Sequence, residues 1–206
     1  KLEPVGPAPL FGIDARSEAH RQRLRRDLHL SDEAMSLDHT APKLLWLRDT
    51  QPKRFARARW VVDAAGYIVA ALTGVPTIDR ATASYHLAPG LKPILPLPEP
   101  REAQDIAGGL LPGMAQRLGL PPGIPVAIGG CDSYVDFAAI GMRAAGDLGI
   151  LLGSTLVLGR VVEQAVAPSV HKAFPLDDEL GDDRLWQQGF IAEAGDALAG
   201  FAALRY

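Results

Sequence analysis

Residues 123–133 read GIPVAIGGCDS, and the fold class turns on this stretch. A short apolar segment at 125–128 runs into Gly129 and Gly130 and then meets an acidic residue. The pattern predicts a buried strand that ends in a tight turn. A strand closed by consecutive glycines presents the next side chains at its carboxyl edge, where α/β folds place their ligands. Those side chains are Asp132 and Ser133. On spacing alone, two roles for the carboxylate stand side by side. It accepts the proton of a hydroxyl nucleophile, or it caps the alanine-rich helix expected over 135–145.

Downstream, residues 146–159 read GDLGILLGSTLVLG. Two strand-like runs are joined there by Gly153, Ser154 and Thr155, which predicts a hairpin. Exposed N–H groups in a small-residue turn with two hydroxyls suit phosphate oxygens, although an ordinary hairpin needs the same residues. Residues 163–184 are polar and predict a loop. Their acidic cluster (Asp177, Asp178, Glu179, Asp182, Asp183) lacks the one-three-five spacing and terminal glutamate of a calcium loop. Residues 186–191 then read as a strand and 193–204 as a closing helix.

Upstream, residues 103–118 read as a helix interrupted by two glycines. Five prolines in 87–101 predict a surface connection. Two or three packed helices are expected over 41–74. Leu44, Leu45 and Leu47 precede a Gln51-Pro52 break, and a second helical run passes through Phe55, Ala58, Val61 and Val62. A third, from Ala64, places Tyr67, Ile68, Ala71 and Leu72 on one apolar stripe and ends at Gly74. Trp46 and Trp60 are expected in the core. Residues 16–28 predict a helix with Ser17 at its N-cap.

Composition narrows the function. The 206 residues are 48% hydrophobic and 22% charged, enough to build a core, and the net charge of −3 leaves no basic footprint for nucleic acid. A single cysteine, Cys131, excludes an internal disulfide framework and a thiolate zinc site. The five histidines form no HExxH pair, and there is no Walker motif, GxGxxG or GxSxG. No signal peptide is visible, and the longest apolar stretch, 148–158, is too short to span a bilayer. A cytoplasmic protein that engages neither membrane nor nucleic acid is expected.

Taken in order, four segments resemble the FGGY family of carbohydrate kinases: FGIDARSEAHRQRL (11–24), APKLLWLRDTQPKRFARARWVVDAAGYIVAALTG (41–74), GIPVAIGGCDS and GDLGILLGSTLVLG. The second is the most specific. The resemblance implies an α/β chain with the actin-like/hexokinase (ribonuclease H-like) ATPase fold. Residues 1–140 would be the remainder of a sugar-binding domain, and 141–206 the beginning of an ATP-binding domain. It implies ATP and Mg²⁺ as cofactors, a sugar or polyol acceptor (a xylulose-like pentulose favoured) and homodimers. By the same resemblance Asp132 is the general base, Ser133 faces the substrate, and Gly153, Ser154 and Thr155 contact the ATP phosphates. Cys131 stands where the family commonly has glycine, and so does Leu156. The family's opening phosphate loop and its adenine-binding motif are not among these residues, so an internal portion, inactive by itself, is expected. A non-catalytic sugar-binding relative on the same scaffold is the alternative.

Overall fold

The computed structural model describes residues 3–10, 14–30, 32, 35–37, 39–86, 94–153 and 156–163, together with the backbone of strands Lys172–Pro175 and Leu185–Ile191 (side chains at 84–86 and 134 excepted). Two compact units divide the chain, Lys1–Gly130 and Cys131–Tyr206.

The first unit opens on Asp14, whose carboxylate accepts the Arg16 backbone N–H at 3.3 Å and the Arg16 guanidinium at 2.7 Å. The guanidinium holds the Asp14 carboxyl well below the usual range and stacks 4.4 Å from the Trp46 ring centre. A turn of 3₁₀ helix leads into α1 (Glu18–Leu28), with Ser17 at the expected N-cap position. The Ser17 side chain is buried and makes no capping bond; Asp14, three residues earlier, caps the 3₁₀ turn instead. Leu24 of α1 packs with Met35, Ala41 and Leu45, the last two on α2 (Thr40–Thr50). Pro52 then starts α3 (Pro52–Phe55), where its missing N–H costs nothing.

The expected second helix does not continue through Val61 and Val62. Past Phe55 the chain turns and extends, and Val61 N–H donates to the Pro96 carbonyl at 3.1 Å. Asp63 explains the stop. Its backbone is extended so that its carboxylate accepts Gly66 N–H at 2.8 Å, capping α4 (Ala64–Thr73). Gly74, left-handed at φ 81°, closes α4 where expected. The buried face is not the expected one: Tyr67 and Ile68 are 43% and 57% exposed, while Gly66, Val69, Ala70 and Thr73 face inward. A Cβ at Gly66 would collide with the Thr77 carbonyl, so backbone approach orients this helix more strongly than apolar bulk does. Trp60, expected in the core, is 44% exposed.

Strand β1 (Ile78–Asp79) pairs in parallel with β2 (Pro100–Arg101), across the short helix α5 (Arg80–His86). No strand was expected in the proline-rich segment; a two-residue edge pair tolerates Pro100 at its start. The single helix expected over 103–118 is instead β3 (Ile106–Gly109) followed by α6 (Pro112–Leu118). Gly108 and Gly109 disfavour helix. They also let β3 run antiparallel to β4 (Pro125–Ala127), where a Cβ at Gly109 would lie 3.2 Å from Gly123 Cα.

The second unit begins with α7 (Asp132–Ala139), which starts three residues before the expected helix and ends well short of 145. Gly141, at φ 83°, turns the chain, and the Asp147 carboxylate accepts the N–H groups of Arg143 and Ala144 at 2.8 and 2.7 Å. The expected hairpin follows: β5 (Leu148–Leu152) antiparallel to β6 (Leu156–Val162), with Leu152 opposite Leu156. Strand β7 (Lys172–Pro175) lies in the stretch expected as loop, and β8 (Leu185–Ile191) is close to the predicted 186–191. Ladder pairing, which single-strand periodicity does not reveal, supports β7: the sheet order is β5-β6-β8-β7, all antiparallel. The acidic cluster and the expected closing helix lie outside the described residues.

Phe137 of α7 is fully buried against this sheet. Gly149 and Gly159 face each other across β5 and β6, and a Cβ on either would come within 2.8 Å or less of the Phe137 ring. Phe137→Ala should therefore cost about 3–5 kcal/mol, and Asp63→Ala only about 1 kcal/mol for the lost cap, both read from urea denaturation midpoints.

Candidate active site

Strand β4 delivers the chain to the site. Beyond it Ile128, 2% exposed, donates its N–H to the Asp105 carbonyl at 2.9 Å, and Gly129 N–H donates to Ala103 at 2.8 Å. Gly129 has φ +69°, a left-handed turn that strongly favours glycine. Gly130 has no positive φ. It is constrained from outside: a Cβ there would lie 3.3 Å from the carboxyl carbon and Oδ1 of Asp79.

Asp79, only 3% exposed, is the last residue of β1, and its Oδ1 accepts Thr82 N–H at 3.0 Å in the first turn of α5. Burial pushes its carboxyl above the usual range, the Thr82 N–H pulls the other way, and the like charge of Asp63 adds to the rise. The sequence reading passed over Asp79. An aspartate immediately ahead of a run of helix formers is an N-cap signal that points to it.

Asp132 is the first residue of α7 and is exposed. Its Oδ1 accepts Ser133 N–H at 2.7 Å and the Cys131 thiol at 3.4 Å. Asp132 is thus the first helical residue, the N-cap being Cys131 with no side-chain capping bond, and its carboxylate takes the next N–H while staying open to solvent. Ser133 is half-buried, with its Oγ 3.6 Å from the Cys131 sulfur. Burial pushes the Cys131 thiol up, so at neutral pH it is a donor rather than a nucleophile. Gly153 is exposed at the end of β5, and Ser154 and Thr155 lie outside the described residues. Among the described residues no group of three or more His, Cys, Asp or Glu converges as a metal site, and no helix is long and apolar enough to cross a membrane.

No family model matches the chain. In sequence it is 28% identical over 180 residues to a ribulokinase of Shouchella clausii, covering 70% of this chain and 32% of that protein. A ribulokinase of Halalkalibacterium halodurans is 44% identical over 50 residues, 24% of this chain and 9% of that one. In structure it superposes on a xylulose kinase from Rhodospirillum rubrum with TM-score 0.72 and 23% identity, covering 93% of this chain and 43% of that one. A Plasmodium falciparum glycerol kinase with ADP gives TM-score 0.74 and 15% identity, with the same coverage of each chain. The chain spans about a third of the length of the Shouchella ribulokinase. The structural likeness defines the class: these residues carry part of the actin-like ATPase fold used by sugar kinases. In sequence, the similarity is to ribulokinases, over part of their length.

The buried Asp79 carboxyl makes a test of the electrostatics. Its folded-state pKa lies above the unfolded value, so its contribution to stability is present below the unfolded pKa and is lost as pH rises through the folded one. Asp79→Asn keeps an acceptor for Thr82 N–H without the charge. Thermal unfolding should show the variant matching the wild type near pH 3 and exceeding it at pH 7.

Proposed function

We propose that the protein is an ATP-dependent carbohydrate kinase that phosphorylates a hydroxyl of a pentulose. The observation that carries the reading is the 180-residue similarity to ribulokinase, which takes in most of this chain. The names of two relatives support a pentulose: ribulokinase by sequence and xylulose kinase by structure both denote ketopentose acceptors. A xylulose-like sugar stays the favoured one. By the same family likeness, residues 1–140 serve the sugar and 141–206 the nucleotide, in a cytoplasmic protein that pairs with a second copy.

ATP supplies the γ-phosphate. Phosphoryl transfer then asks the protein mainly for positioning, for a group that takes the acceptor proton, and for donors around the phosphates. Asp132 fits the second task. Its Oδ1 is fixed by Ser133 N–H and the Cys131 thiol, and its carboxylate is exposed where a substrate hydroxyl can reach it. The hydroxyl proton passes to Asp132 as the new O–P bond forms and ADP leaves. Ser133 would help orient the sugar, and Gly153, Ser154 and Thr155 would offer backbone N–H groups and hydroxyls to the phosphates. Magnesium is expected from the family likeness. Since the described residues form no metal cluster, no side chain of this chain is assigned to it.

Asp132→Asn keeps the acceptor for Ser133 N–H and removes the base. In an ADP-release assay on the intact protein with Mg-ATP and a panel of ketopentoses, gluconate and glycerol, one acceptor should give turnover. The variant should lower kcat by about 10²–10⁴-fold, with sugar affinity nearly unchanged. Sugar binding without ADP release for every acceptor would overturn the kinase reading in favour of a non-catalytic sugar-binding member.

A further inference from the structure

We infer that Cys131 is a positioning residue for Asp132, its thiol turning the carboxylate so that Oδ2 is the oxygen presented to an acceptor hydroxyl. The inference deepens the kinase reading and rests on it for the effect on turnover. The contact itself lies wholly within the second unit and needs no ligand.

Three observations carry it. First, both donors that reach the Asp132 carboxylate meet the same oxygen: Ser133 N–H lies 2.7 Å and the Cys131 sulfur 3.4 Å from Oδ1. Among the described residues no donor reaches Oδ2. An oxygen that already accepts two bonds is the poorer place for a further proton, so the pair leaves Oδ2 to take it. Once Oδ2 is protonated, Oδ1 is still an acceptor, and both bonds survive the transfer. Second, the direction of the sulfur contact is fixed. An ionised carboxylate can only accept, so the thiol donates. Burial, and after it the Asp132 charge, push the Cys131 thiol up and keep its proton in place at neutral pH. Third, Cys131 stands at the N-cap position of α7 but makes no capping bond. Its sulfur turns instead to the side chains of Asp132 and Ser133, 3.6 Å from the Ser133 Oγ. Capping alone would favour Ser, Thr, Asp or Asn there. A single bond from Ser133 N–H lets the carboxylate swing about it, and a second donor on a half-buried side chain removes that freedom. Asp136, one turn further on, is the other carboxylate of α7, and β5, against which α7 packs, carries no titratable residue.

The test uses Cys131→Ala and Cys131→Ser in the intact protein. Alanine removes the donor, whereas serine keeps an O–H on the same carbon. Cys131→Ala should lower kcat by about 10-fold, since a small misplacement of a reacting group is costly, while the sugar KM stays within about 3-fold. Cys131→Ser should recover most of that loss. Equal losses in the two variants, or an unchanged kcat in Cys131→Ala, overturn the inference and leave the kinase reading intact. A second readout needs no turnover: alkylation by iodoacetamide across pH, followed by mass spectrometry of the peptide that holds Cys131. Asp132→Asn keeps an acceptor for the thiol and removes the charge, so alkylation at pH 7 should quicken by about 3-fold or more. Identical alkylation profiles in wild type and Asp132→Asn overturn the contact and the inference with it. Absence of turnover in the wild type defeats the kinase reading, and the alkylation comparison then decides the contact alone.

Discussion

Close approach of backbone to a neighbour, at positions where a Cβ has no room, is the constraint on which both units depend. In the first unit α4 lies against the Thr77 carbonyl only because residue 66 is glycine, and Gly130 passes the buried Asp79 carboxyl in a looser contact. In the second, Gly149 and Gly159 leave a slot across β5 and β6 that the fully buried Phe137 fills. Interiors pack at nearly crystalline density, so each contact fixes the approach of one element to the next. The orientation of α4 shows the strength of the effect: it turns Tyr67 and Ile68 outward to keep Gly66 against Thr77.

Charge placement works within that frame. Aspartates recur at starts and turns: Asp14 before the 3₁₀ turn, Asp63 before α4, Asp79 before α5, Asp132 at the head of α7 and Asp147 ahead of β5. Each accepts backbone N–H groups that would otherwise lack partners. They differ in solvation. Asp14 is buried but faces Arg16, which holds it ionised. Asp79 is buried and accepts the Thr82 N–H, and its carboxyl is pushed up. Asp132 stands exposed. One residue type thus provides a salt-bridged anchor, a buried acceptor at a helix start and a solvent-facing carboxylate, and burial and partners separate the three.

The likeness to sugar kinases fits this arrangement in both sequence and fold. Phosphoryl transfer needs little covalent help from a protein and much positioning. Here the glycine turn after β4 is held by two backbone bonds, and the buried Asp79 carboxyl lies beside Gly130.

The elements that punctuation defines were legible in the residues alone. Pro52 at a helix start, Gly74 at a helix end, the Gly129 turn after β4 and the β5–β6 hairpin all follow from local backbone preferences. The place of Asp132, just after a glycine turn and at the head of α7, was legible for the same reason. The tertiary structure decided what depends on partners distant in sequence. Gly108 and Gly109 became a strand because β4 lay opposite them, and β7 formed in a polar stretch because β8 offered a ladder. Asp79 gained its place beside Gly130, fifty-one residues away in the chain. Local sequence sets φ and ψ, but only the packed fold determines which atoms crowd a given Cα.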